Sequence, residues 1–382
     1  MSAFSETDGQ APGLFEKIRS VNWGLVLLLT LISSVGFAVL YSAANGSFEP
    51  WALKSIIRYG MALVMLLVVA VIDIRIWYRA AYPIYFFASV LVIAVDFKGV
   101  HRLGAQRWLE LGPVSLQPSE LMKIGLVMVL ARYFSTRNNE EIGRPLQLVY
   151  PVLLVLVPAA LVMKQPDLGT AMMLMLCSGG IFFLAGVRIW KFLLVLAGGA
   201  AMVPIAWGFL RDYQKNRIYT FLNPENDSLG AGYHIMQSKI ALGSGGMWGK
   251  GFMLGTQSHL NFLSEKQTDF IFTMFAEEFG MAGGLVLLTL YTMVFAYGFA
   301  IGLRCRNQFG RLLALGITVN VFLYVFINTA MVMGLIPVVG VPLPLISYGG
   351  TAMLTVMFGF GLLISAYIHR DIRINRHGEF EA

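Results

Sequence analysis

The stretch Thr268-Asp269-Phe270-Ile271-Phe272 brings one carboxylate to the point where a polar, glycine-rich segment runs into an apolar helix. Asp269 has two readings there. Ser264 and Gln267 have the spacing of a capping box, which would place Asp269 in the first or second turn of the helix, where the positive end of the helix dipole favours an ionised acid. A carboxylate fixed at a membrane surface can also act as general base toward a hydroxyl on a lipid-anchored substrate. An exposed helix start requires no such elaborate segment ahead of it, which favours the second reading.

Other charged residues lie where lipid is expected. Glu277 and Glu278 fall two turns further into the apolar run, roughly 12 Å below Asp269 if the helix is straight. Intramembrane carboxylates face the bundle interior and find partners, so a structural or gating role is favoured for both. Glu120 and Lys123, three apart at the start of another apolar window, can pair along one helix face. Arg107-Trp108 just upstream offers a cation and an aromatic face suited to a pyrophosphate and a sugar ring. Lys164 and Asp167 form a further charged pair in a tight turn, and Arg58 and Ser347-Tyr348-Gly349-Gly350 complete a polar ring. The five histidines are dispersed, no His or Cys pair has zinc spacing, and nucleotide-binding signatures are absent. No cofactor is required by the sequence; a divalent cation is compatible with diphosphate chemistry, but no ligand set marks one.

The elements that must position these groups are membrane helices. Hydrophobic residues make up 57% of the 382 and charged residues 13%, about half the usual charge of a soluble domain. Apolar windows long enough to cross about 30 Å of hydrocarbon recur along the chain. They predict an all-α polytopic membrane protein with ten spans: 22–43, 51–72, 78–96, 118–134, 147–163, 168–186, 191–209, 270–302, 311–335 and 351–368. Residues 1–21 form an N-terminal tail, 22–368 the transmembrane domain and 369–382 a C-terminal tail.

Net charge is +7, but the basic residues cluster at the ends of windows, as membrane topology demands, and nucleic acid is not the expected partner. Arg75, Arg79, Arg132, Arg137, Arg144, Arg188, Lys191, Arg304, Arg306 and Arg311 share one face with both tails, which makes that face and both termini cytoplasmic. The candidate chemistry sits on the opposite face, in longer loops. The longest, 210–268 between spans seven and eight, is too apolar for disorder; within it Tyr233, Met236 and Ile240 predict a helix lying flat on the membrane, with His234, Gln237 and Ser238 opposite. Cys177 and Cys305 do not suggest a disulfide, and no internal repeat supports an inverted-repeat transporter.

Several motifs are familiar. Arg217 to Asp227 with its Asn223-Pro224-Glu225-Asn226, Gly230-Ala231-Gly232-Tyr233-His234, Gly249-Lys250-Gly251, Gly255-Thr256-Gln257, Thr268-Asp269-Phe270, Gln117-Pro118-Ser119-Glu120, Gln165-Pro166-Asp167-Leu168-Gly169-Thr170 and Ile346-Ser347-Tyr348-Gly349-Gly350 together resemble the shape, elongation, division and sporulation family, in particular its elongation branch. The resemblance covers about residues 22 to 370. It implies ten helices in the bacterial inner membrane and a peptidoglycan glycosyltransferase that polymerises lipid II into undecaprenyl-diphosphate-linked glycan outside that membrane. A class B penicillin-binding protein transpeptidase and other elongation-complex membrane proteins are the implied partners. The family's essential loop aspartate maps onto Asp269, and its cavity motifs onto Arg107, Trp108, Glu120, Lys123 and Asp167, with Lys250 and Gln257 as further candidate substrate contacts; for the diphosphate leaving group that this reaction implies, Arg107, Lys123 and Lys250 are the candidate cations. One departure is visible: relatives commonly have Leu-Pro-Glu-x-His-Thr-Asp where this chain has Leu263-Ser264-Glu265-Lys266-Gln267-Thr268-Asp269. Losing that histidine removes a second base. A lipid-linked precursor flippase, or a scaffold for a transpeptidase, would use the same groove without chemistry at Asp269.

Overall fold

In the computed structural model, residues 13–102, 105–111, 114–209, 212–226, 230–256 and 265–372 are described. Each of the ten predicted windows holds a helix: α2 (Trp23–Ala43), α3 (Ala52–Val71), α4 (Ile74–Lys98), α5 (Pro118–Ser135), α7 (Pro145–Lys164), α8 (Leu168–Leu184), α9 (Ile189–Phe209), α12 (Ile271–Arg304), α13 (Gln308–Val332) and α14 (Gly350–Ile368). Shorter helices are α1 (Leu14–Arg19), α6 (Asn139–Ile142), α10 (Asp212–Leu222) and α11 (Ala231–Ser244). Seven of the described helices, α2, α3, α4, α7, α12, α13 and α14, are long and apolar enough to cross a membrane. By the same measure α8 and α9 are shorter apolar helices. The charges of Glu120, Lys123 and Arg132 set α5 apart, yet it is the most enclosed, with Met122, Val127, Met128, Val129 and Leu130 fully buried.

The helices order themselves by burial. α5, α13 and α14 form the centre, where α13 carries buried residues on every face and α14 packs along α3. At the other extreme α9 is exposed almost throughout; Leu193, Leu194, Val195 and Leu196 are 60%, 64%, 71% and 68% exposed. A helix that apolar on an exposed surface is solvated by acyl chains.

Two features were not in the sequence reading. The segment expected as loop between α4 and α5 contains a three-stranded antiparallel sheet in the order β1 (Val100–Arg102), β2 (Ala105–Leu111), β3 (Val114–Leu116). Gly104 and Gly112-Pro113, standing between short runs, were the turn signals available. The second is a break in α12 at Gly280, whose φ of 66° and ψ of −166° belong to a region open only to glycine. A Cβ there would lie 2.3 Å from the Gly249 backbone nitrogen and 2.7 Å from the Met247 carbonyl oxygen. Gly280→Ala therefore combines a forbidden conformation with a backbone clash, and thermal unfolding in detergent should show a loss of at least about 1–3 kcal/mol; an unchanged Tm would mean that the break is not retained.

Through that break the long connection docks on the bundle. Met281 N donates to Gly246 O at 2.9 Å and Ala282 N to Met247 O at 3.0 Å, while Lys250 N and Gly251 N donate to Glu277 O and Glu278 O, each at 3.0 Å. Glu277 and Glu278 thus line the break instead of lying deep within one straight span. α11 corrects another expectation: it packs on α12 and α13 through Gly232, Ile235, Ser238 and Ala241. Ser238 Oγ donates to Val332 O at 2.8 Å and bonds Thr273 Oγ1 at 2.8 Å, whereas Met236 and Ile240 face outward. Protein thus covers the face that the sequence reading left polar.

Candidate active site

Asp269 lies in a turn of residues 265–270, one residue ahead of Phe270, the N-cap of α12. It is therefore outside the helix, and the predicted capping box does not form as expected: Phe270 makes no side-chain cap, Gln267 Nε2 approaches Glu265 Oε2 at 3.5 Å, and Ser264 lies outside the described residues. The turn closes on Glu265, which adopts a φ of 58° and accepts bonds at its carbonyl from Thr268 N at 3.1 Å and Phe270 N at 3.4 Å. Thr268 Oγ1 donates to the Glu265 carboxylate at 3.0 Å.

Two outside elements, α13 and the 337–350 hairpin, grip this turn. Asn328 on α13 donates through Nδ2 to Asp269 O at 2.9 Å and to Val341 O at 2.7 Å. Ser347 Oγ donates to Thr268 O at 2.6 Å and accepts from Leu343 N at 2.8 Å, and Tyr348 N donates to Gln267 O at 2.8 Å. Gly340, with φ of 72°, comes so near that a Cβ on it would sit 3.5 Å from Asp269 Oδ2. The backbone of Asp269 is thereby fixed while its carboxylate makes no hydrogen bond among the described residues.

The same 337–350 hairpin reaches the Asp167 turn. A Cβ on Gly169 would stand 2.2 Å from Val339 O, so only glycine lets the two segments approach. Asp167 caps α8, accepting from Thr170 N at 3.1 Å and Thr170 Oγ1 at 2.9 Å. Arg107 on β2 donates to Pro166 O at 2.7 Å and stands 3.6 Å from Asp167 Oδ2, with its side chain 23% exposed. Burial raises the Asp269 carboxyl to about 6 from 3.8; Glu265 pushes the same way, the Arg107 guanidinium opposes, and Asp167 adds a further upward push. Although surrounded by protein, Asp269 keeps part of its surface open.

The remaining candidates divide. Trp108 follows Arg107 along a strand, so the two side chains leave opposite faces and do not make one clamp. Lys123 Nζ lies 2.7 Å from Glu120 Oε1, also bonds the Tyr324 hydroxyl, and sits 4.2 Å from that ring's centre; the Tyr324 hydroxyl donates to the other Glu120 oxygen. This closed triad is almost wholly buried. Lys250 pairs with Glu277 at 2.7 Å, an oxygen that also accepts from Thr256 N at 2.8 Å. Glu278 accepts from Ser42. Of the three candidate cations, Arg107 is the one whose charge bears on Asp269. Arg58 lies 4.8 Å from the centre of the Tyr348 ring. Gln257 lies outside the described residues.

A family model for cell cycle proteins, covering FtsW, RodA and SpoVE, matches residues 19–372. The chain belongs to that family. Among relatives of this FtsW, RodA and SpoVE family member, the peptidoglycan glycosyltransferase MrdB of Escherichia coli K12 is 44% identical over 91% of this chain and 93% of its own. MrdB of Helicobacter pylori is 38% identical over 84% of both. A solved chain from a peptidoglycan synthase complex that coordinates polymerisation and crosslinking superposes with a TM-score of 0.78 at 32% identity, covering 92% of this chain and 98% of that one. Rod shape determining protein RodA of Thermus thermophilus superposes with a TM-score of 0.69 at 28% identity over the same shares. In this family member, the residues that sequence reasoning missed are Asn328, Tyr324, Glu265 and Gly340. Asn328 carried a signal, a buried amide in an apolar span that has to find partners.

Proposed function

We propose that this chain is a peptidoglycan glycosyltransferase that polymerises lipid II, with Asp269 as its general base. The observation that carries the reading is a carboxyl held near 6, partly open, on a rigid turn at the loop-bearing end of the bundle with Arg107 beside it. Asp269 takes the proton of the 4-hydroxyl of N-acetylglucosamine on an incoming lipid II. That oxygen attacks the anomeric carbon of the N-acetylmuramic acid at the reducing end of the growing chain. The carbon–oxygen bond to the diphosphate breaks, its electron pair leaves with undecaprenyl pyrophosphate, and the configuration inverts. Arg107 is placed to stabilise the departing charge.

The charge asymmetry of the loops supports a bacterial inner-membrane orientation with both termini cytoplasmic and Asp269 periplasmic. The synthase complex that contains a structural relative supports a class B transpeptidase as partner.

Polymerisation of lipid II by the purified protein, with and without the transpeptidase, tests the reading: glycan strands are expected, and their absence from a folded complex would leave a flippase or a scaffold. The pH profile is a second expected result. A base must be ionised, so activity should be full above about pH 7 and fall about tenfold per unit below the Asp269 pKa of about 6. A flat profile from pH 5 to 7 would remove Asp269 from the proton transfer.

A further inference from the structure

Just before its connection to the Asp269 turn, the chain makes a second turn whose outer surface is apolar. Met247 is 57% exposed, Trp248 83%, Phe252 43% and Leu254 64%. In water such a patch would be a liability. The turn is firmly seated: the four backbone bonds to Glu277, Glu278, Met281 and Ala282 fasten it, and Lys250 and Thr256 are tied to the Glu277 carboxylate. Met253, between the exposed residues, instead points back toward Gly46, where a Cβ would lie 2.8 Å from its Cε.

The occupant of this surface is indicated by what continues from it. Met281 and Leu285, on the long apolar part of α12 just past the break, are 53% and 56% exposed. Exposed apolar residues on a membrane-crossing helix face lipid. The bonds from Met281 and Ala282 to the carbonyls of Gly246 and Met247 hold Met247 against the end of that strip, and Trp248 follows it in the chain. Tryptophan at the end of a lipid-facing strip, with the polar Lys250–Glu277 pair behind it, has the arrangement of a side chain at headgroup level.

We propose that the Met247–Leu254 turn is an interfacial anchor, its apolar side chains seated among the headgroups and upper acyl chains of the leaflet on the Asp269 side. The bilayer then fixes the height of the connection that leads to Asp269, through Glu277 and Glu278 at the break. This inference stands apart from the glycosyltransferase reading, and its test needs no activity.

The test uses the full chain in bilayers of phosphatidylethanolamine and phosphatidylglycerol. A nitroxide is placed at Trp248→Cys after the buried Cys177 and Cys305 are replaced by alanine, and its relaxation by oxygen and by a water-soluble nickel chelate is compared. The Trp248 label should resemble one at Leu285→Cys, favouring oxygen, and differ from one at the exposed Glu140→Cys. Relaxation like that at Glu140, or protection that appears only when a transpeptidase is added, would overturn the proposal, the latter by making the turn a protein contact. A conservative variant avoids any folding defect: in bilayers with brominated acyl chains, wild type should lose more tryptophan fluorescence than Trp248→Phe. Equal losses would overturn it as well.

Discussion

Asp269→Asn is expected to lower glycan polymerisation by about 10²–10⁴-fold, the range for removal of a general base, without lowering the stability of the fold. The two effects follow from the same burial. The folded protein holds this carboxyl near 6 whereas the unfolded chain holds it near 3.8, so the folded state binds the proton more tightly. The group's stabilising contribution is present below about pH 4 and is lost as pH rises through about 6. At neutral pH the ionised form costs the fold on the order of 2–3 kcal/mol, and asparagine removes that cost. Were Asp269 only a helix-start acid, the substitution would weaken the helix and leave activity intact. Polymerisation of lipid II and thermal unfolding, measured on the same preparation, separate the two roles; a drop in Tm with synthesis preserved would overturn the catalytic assignment.

The second large effect concerns the buried triad. Glu120→Gln or Lys123→Met alone strands a charge among apolar helices and is expected to destabilise the protein by about 3–5 kcal/mol. The double replacement removes both charges and should restore most of that loss, since a buried pair brings little net stability over neutral residues. Tyr324 remains as a hydroxyl able to bond the new amide. Thermal unfolding of the two single variants and the double variant is the check: a double variant no more stable than either single one would show that the pair itself is needed.

What was legible in the sequence follows from length scale. Apolar windows of about twenty residues report helices because a bilayer leaves the backbone no alternative, and all ten windows hold one. Asp269 was legible from its boundary position. The Glu120–Lys123 pair was legible from its spacing, but Tyr324 beside Lys123 and Glu277 beside Lys250 were not: they are remote in sequence, and only packing brings them within bonding distance. The break at Gly280 was hidden because a glycine in an apolar run reads equally as a packing site. Its need for a positive φ appears only when the Gly245–Gly249 backbone crosses it. The face of α11 was misjudged for a related reason. Apart from Ile235 its buried residues are small, Gly232, Ser238 and Ala241, which suits close contact with protein, while Met236 and Ile240, two of the larger apolar side chains that drew attention, face outward.

The isolation of α9 has an evolutionary consequence. A helix touched by lipid on nearly every side is selected for hydrophobicity and length, and hardly at all for shape. Leu193 to Leu196 should exchange freely with isoleucine, valine or phenylalanine, whereas the enclosed Met122 and Val127 on α5 should resist the same exchanges. A saturation library scored by growth should trace that contrast residue by residue, and the permissive stretch would mark where the genome can drift without the protein noticing.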